Sequence, residues 1–146
     1  LPWRPGRRQM WGEWVDEPRL HFGGRPEAID AHPAIRAIGD AVSAAYHDDL
    51  SMMFANYYRD GADSVAWHAD RIGKLRTHPL VAIVSLGGPR RFLLRPMGGG
   101  RSHGFVLHSG DLLVMGGATQ HRWQHAVPKI AAAPARISLT FRVERG

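Results

Sequence analysis

Apolar residues change their period twice along this chain. Over residues 1–24, Trp3, Trp11, Trp14 and Phe22 mix with Arg4, Arg7 and Arg8 and are broken up by Pro2, Pro5, Gly6, Gly12 and Pro18. That mixture predicts short strands or an irregular basic, aromatic arm rather than a helix. From Pro33 onward Ile35, Ile38, Val42, Ala45 and Tyr46 recur at helical spacing, which predicts one amphipathic helix with Asp30 upstream as its cap. After Asp48-Asp49 the period becomes two. Met52–Tyr58, Ser64–His68, Val81–Leu86, Arg91–Leu94, Gly104–Leu107, Leu112–Met115 and Arg136–Val143 read as strands, separated by turns such as Asp60-Gly61 and by the loop Ala131-Ala132-Ala133-Pro134. So many short strands between Gly and Pro turns predict a β-sandwich or barrel. The 146 residues fit one domain, with the arm at 1–24 and the strand-rich core at 52–143.

Alternation assigns faces. In an extended strand Ser64, Ala66, His68 and Asp70 share one side, with Val65, Trp67 and Ala69 on the other, so an imidazole and a carboxylate project together. In the last strand Arg136, Ser138, Thr140 and Arg142 oppose the apolar Ile137, Leu139, Phe141 and Val143. Taken singly, the first pattern reads as an ordinary hydrogen-bonded His–Asp pair and the second as a solvated strand face. Taken together they suggest oxidative chemistry. His-x-Asp is two thirds of a 2-His-1-carboxylate iron site, and paired arginines suit a small dicarboxylate. The third ligand could be His78, His103, His108, His121 or His125. His125 fits best, because Arg122–Val127 can carry it up a strand before Pro128. His121 and His125 have the four-residue spacing of a zinc-protease helix, but Arg122 stands where that helix carries its Glu.

Composition narrows the chemistry. The absence of cysteine excludes disulfides and thiolate metal sites. No run of apolar residues has the length of a membrane span and no signal sequence is visible, so a cytoplasmic protein is expected. The formal charge is +6, and of the 19 basic residues only Lys74 and Lys129 are lysines. Arginine suits bidentate phosphate contacts, and no basic amphipathic helix accompanies the charge. A nucleic-acid partner is therefore expected before a membrane.

Six segments, in order, extend the pattern: Asn56-Tyr57-Tyr58-Arg59-Asp60-Gly61, Trp67-His68-Ala69-Asp70, Val84-Ser85-Leu86-Gly87, Ser109-Gly110-Asp111-Leu112-Leu113-Val114-Met115, His125-Ala126-Val127-Pro128 and Arg136–Arg142. In order and spacing they resemble the AlkB family of Fe(II)/2-oxoglutarate-dependent dioxygenases. The resemblance runs from about Trp3 to Val143. It implies a mainly β fold with a flanking helix, a double-stranded β-helix or jelly roll. It implies iron held by His68, Asp70 and His125, and a 2-oxoglutarate pocket lined by Asn56, Tyr58, Arg136, Thr140 and Arg142, with O2 as the oxidant. The activity implied is oxidative demethylation of N-alkylated bases in DNA, with RNA as the alternative. Decarboxylation of 2-oxoglutarate is coupled there to methyl hydroxylation and formaldehyde release in DNA repair.

A base methyl reaches buried iron only if its nucleotide is single-stranded or swung out of the duplex. Phe22, with Trp11 or Trp14, is the expected stacking surface, and Trp67, Arg71 and Arg95 are further substrate-binding candidates. Arg4, Arg7, Arg8, Arg90, Arg91, Arg95 and Arg101 are expected on phosphates. Two departures bear on this expectation. Arg71-Ile72-Gly73 stands where family members carry further acidic residues that read the base, and Ser138 stands where an Asn is common. Competing readings are a 2-oxoglutarate dioxygenase acting on protein, lipid or a small molecule, and a nucleic-acid-binding module with an inactive site. A monomer is expected, since no long apolar seam is apparent.

Overall fold

The structure is a computed structural model and describes residues 1–69, 80–116 and 119–143. The arm is a β-hairpin of β1 (Arg4–Met10) and β2 (Glu13–Gly23). Trp11 and Gly12 close it with φ of 55° and 79°, the backbone hand that a two-residue turn needs to match strand twist. Trp11 is 97% exposed at the tip.

A short 3-10 turn (Pro26–Asp30) leads into helix α1 (Pro33–Tyr46). The cap is not Asp30. His32 caps the helix by accepting from the Ala34 N–H at 3.0 Å, and Pro33 takes the first helical position, where its missing N–H costs nothing. Asp30 instead grips Arg36, at 2.7 and 2.8 Å.

The strands are β3 (Met52–Tyr58), β4 (Val65–His68), β5 (Val81–Gly87), β6 (Arg90–Pro96), β7 (His103–Leu107), β8 (Leu112–Met115), β9 (Trp123–Val127) and β10 (Arg136–Arg142), with a single turn of helix, α2 (Thr119–Arg122), before β9. They form a large sheet, ordered β1-β2-β3-β10-β5-β8, and a small one, ordered β4-β9-β6-β7. Every pairing is antiparallel, as a jelly roll requires.

Two cores hold the layers together. Ile35 and Val42 of α1 pack on Met53, Ala55, Ala82, Val84, Leu139 and Phe141, on one face of the large sheet. A second cluster, Tyr58, Val81, Ile83, Phe92, Leu107, Met115 and Val127, fills the space between the sheets. β10 lies between β3 and β5, so Leu139 and Phe141 go to the helix side. Arg136 and Ser138 face the opposite sheet and are only 2% and 5% exposed. The polar face of this strand is therefore an interior lining, not a solvated surface.

The Asp60-Gly61 turn joins β3 to β4, and one carboxylate holds it. Asp63 accepts from the backbone N–H, Nε and Nη2 of Arg59, at 2.8, 2.8 and 3.1 Å. Arg90 braces the same turn, and here the expectation of a phosphate contact fails. It is 1% exposed, and its Nη groups donate to the carbonyls of Asp60, Asp63 and Pro128 at 3.1, 2.8 and 2.7 Å; its Nε has no hydrogen-bond partner among the described residues, but burial keeps it from a phosphate.

The hydrogen bonds from Arg59 hold the Asp63 carboxyl below its ordinary value of 3.8. A depressed folded value gives stability that is complete above the unfolded pKa and is lost as pH falls through the folded one. Asp63→Asn should cost about 1–3 kcal/mol at neutral pH. The gap from wild type should close in urea unfolding below the unfolded carboxyl pKa. A gap independent of pH would contradict this role.

Candidate active site

Pairing of β4 with β9 sets His68 opposite His125. Their ring centroids lie 4.2 Å apart, with the rings at 60°. Simple alternation does not survive in β4. Val65 pairs with Val127 and His68 with His125, so three steps along β4 oppose two along β9. The resulting bulge turns Val65 and His68 to the same cavity, although their spacing would put them on opposite faces of a regular strand.

Each imidazole is oriented by its surroundings. His68 Nδ1 lies 2.8 Å from the Ala66 carbonyl; a carbonyl only accepts, so Nδ1 donates and Nε2 is the nitrogen left for a metal. His125 is buried and stacked on Phe92, centroids 5.3 Å apart. Among the described residues no third His, Asp or Glu joins the two histidines. Asp70 and Arg71 lie outside the described residues.

A cavity of about 70 Å³ runs from this pair to Arg136, past Asn56, Tyr58, Ile83, Ser138 and Thr140. Arg136 donates from Nε to Ser85 Oγ at 2.8 Å and lies 5.1 Å from the Tyr58 ring centroid, but its buried Nη1 has no hydrogen-bond partner among the described residues. Burial pulls its guanidinium below the ordinary value and pushes the Tyr58 phenol above its own, so Tyr58 is neutral near pH 7. A wider cleft of about 500 Å³ shares Asn56, His68 and Thr140 with the cavity and adds Arg4, Arg25 and Arg142. Arg142 stacks over Phe54 at 4.1 Å.

This donor set fits the implied groups. Two facing imidazoles, one with its Nδ1 turned to a carbonyl, suit a divalent iron. A buried guanidinium with an unmet donor at the far end of the cavity suits a carboxylate.

The substrate candidates are not gathered here. Trp67 and Arg95 sit on the outer face of the small sheet, where the Arg95 guanidinium stacks on the Trp67 ring at 4.1 Å and is held by Gln124 at 3.2 Å. The physical reason is alternation itself: Trp67 and Gln124 each adjoin a histidine that points inward, so they point outward. Phe22 contributes to the cleft wall, but its ring packs edge-on against Trp3 and into the helix-side core. Two unpredicted residues do reach the interior. Arg19 and His21 of β2 line the cleft, and Arg19 the cavity as well. The alternating polar series Glu17, Arg19, His21 between Pro18, Leu20 and Phe22 was the available signal. Burial lowers the His21 imidazole below its usual value.

Comparison with known proteins agrees with this geometry. The family model of the 2OG-Fe(II) oxygenase superfamily matches residues 23–142. The alpha-ketoglutarate-dependent dioxygenase alkB homolog 3 of Homo sapiens is 34% identical over 121 residues, covering 76% of this chain and 42% of the relative. The DNA oxidative demethylase ALKBH2 of Homo sapiens is 32% identical over 158 residues, covering 93% and 60%. The chain thus spans about half the length of these relatives. Two solved structures share the fold. OsALKBH1 has a TM-score of 0.59 at 22% identity, covering 77% of this chain and 66% of that one. An oxidoreductase of the 2OG-Fe(II) oxygenase family from Burkholderia pseudomallei has a TM-score of 0.61 at 17% identity, covering 97% and 72%. With its matched segment running through His68, His125, Arg136 and Arg142, the chain belongs to the 2OG-Fe(II) oxygenase superfamily, within the AlkB family, whose chemistry uses Fe(II), 2-oxoglutarate and O2.

Proposed function

We propose that this chain demethylates N-alkylated bases in DNA, with His68, Asp70 and His125 holding iron and with Asn56, Tyr58, Arg136, Thr140 and Arg142 holding 2-oxoglutarate. The observation that carries the reading is the buried Arg136 Nη1 without a partner, in a cavity that ends at the His68–His125 pair. A buried unmet donor costs about 1–3 kcal/mol, a cost that a carboxylate bound there would remove. The neutral Tyr58 phenol can donate to the same carboxylate, while Ser85 fixes the plane of the guanidinium. Bound iron with 2-oxoglutarate and O2 supplies the oxidising power that hydroxylates a methyl group on a base nitrogen, and the N-hydroxymethyl base then collapses to formaldehyde and the free base.

The protein's own part is to orient and to exclude water. Val65, Ile83, Phe92 and Val127 supply apolar wall among the polar side chains that line the cavity. DNA as substrate is supported by the ALKBH2 relatives and by the +6 charge. Exposed Arg4 and Arg25 at the cleft rim are placed to meet phosphate.

The test is mass analysis of a single-stranded oligonucleotide bearing one 1-methyladenine, incubated with protein, Fe(II), ascorbate, 2-oxoglutarate and air. The free base should form only when every component is present. Affinity for the oligonucleotide should fall steeply with salt. An unchanged oligonucleotide alongside accumulating succinate would assign the centre to another substrate.

A further inference from the structure

Opposite Gly6 the two strands of the hairpin differ in length. Pro5 pairs with Leu20 but Arg7 with Asp16, so four steps along β2 face two along β1. Pro18, with no N–H for the ladder, lies in this bulge. Glu17 and Arg19 share the face of His21 by alternation, and their side chains are 22% and 15% exposed.

Both backbone groups of Ser64, the residue just before β4, are then tied to β2. The Ser64 N–H donates to the Pro18 carbonyl at 2.7 Å, and Arg19 Nη1 donates to the Ser64 carbonyl at 3.1 Å. Arg19 Nη2 meets Glu17 Oε2 at 2.8 Å, and the same oxygen lies 3.1 Å from His21 Nε2. One donor is left over: Arg19 Nε is buried and has no hydrogen-bond partner among the described residues. Arg19 lines both the inner cavity and the outer cleft, beside Asn56, His68 and Thr140.

We infer that Arg19 is a third co-substrate arginine, its Nε–H donating to a carboxylate oxygen of the bound 2-oxo diacid while its Nη1 holds Ser64 at the root of the His68 strand. The inference rests on the co-substrate reading proposed for this cavity. Charge favours a directional role. Arg136 and Arg142 already match two carboxylates, whereas Arg19 is neutralised by Glu17 and adds an aimed N–H without net charge. A buried Nε–H left unmet is costly, and a ligand oxygen removes that cost.

The experiment titrates Mn(II)-loaded protein with 2-oxoglutarate in the absence of nucleic acid, and separately titrates metal-free protein with Mn(II). Wild type, Arg19→Lys and Arg19→Gln are compared by calorimetry. Lysine keeps the charge beside Glu17 but lacks the guanidinium fork. Arg19→Lys should raise the 2-oxoglutarate Kd about 10- to 100-fold while the Mn(II) Kd moves by less than about threefold. Should Arg19→Lys not fold, Arg19→Gln, whose amide can still donate to Ser64, carries the same expectation. A 2-oxoglutarate Kd within about twofold of wild type overturns the inference. So does a parallel loss of Mn(II) affinity, which would leave Arg19 only a brace of the His68 strand. Wild-type protein that binds Mn(II) but no 2-oxoglutarate overturns the co-substrate reading itself, and this inference with it.

Discussion

His68→Ala should give a folded protein that no longer consumes 2-oxoglutarate. The half-buried His68 ends β4, and its removal leaves both the inter-sheet core and the helix-side core intact. What is lost is chemical. The Ala66 carbonyl holds Nδ1 and leaves Nε2 for a metal, and cross-strand pairing sets that ring against His125. Changing a group that merely orients a metal ligand typically costs 10–100-fold, so removing a ligand should lower turnover by more than about 100-fold. Circular dichroism and 2-oxoglutarate consumption on the same sample separate the two effects. A folded variant within about tenfold of wild-type turnover would remove His68 from the centre.

Arg136→Met should separate activity from stability in opposite directions. Arg136 is 2% exposed, its charge is disfavoured by burial, and its Nη1 is unmet. Replacing such a buried charge with an apolar side chain of similar length is often neutral or stabilising, by about 1–4 kcal/mol. The lost Ser85 hydrogen bond offsets part of that gain. The urea midpoint should therefore stay level or rise. The KM for 2-oxoglutarate should rise by about 100-fold, the scale of losing a charge-assisted bidentate contact in a dry site. A variant destabilised by more than about 2 kcal/mol with an unchanged KM would make Arg136 a structural strut like Arg90.

The contrast between those two arginines shows where sequence reading stops. Alternation correctly separated Arg136 and Ser138 from Leu139 and Phe141, because β10 is regular and central, flanked in register on both sides. It could not say what lies over the polar face. Ser85 and Arg136 are 51 residues apart, and Arg90 finds its three carbonyls 27 to 38 residues away. Pairings of that range have no local signature. The two bulges were equally hidden. The one in β4 makes Val65 and His68 neighbours by breaking the period on which the reading depends, and the one in β2 sets four steps of that strand against two of β1. Trp67 and Arg95 lie apart from the cavity. Both looked fit to touch a substrate by residue type, yet the alternation that aimed His68 inward already aimed Trp67 outward. At α1, Asp30 is a good cap by type. His32-Pro33 sits at the position the geometry requires, and Asp30 finds Arg36 instead.

The central claim is that iron and 2-oxoglutarate share the cavity between the histidine pair and Arg136. Crystals grown anaerobically with Mn(II) and 2-oxoglutarate, measured for anomalous scattering at the manganese edge, test it most directly. The account predicts one anomalous peak bound by His68 and His125, with diacid density running from it to Arg136 Nη1. A metal peak elsewhere, or a diacid that leaves Arg136 unmet, would contradict it.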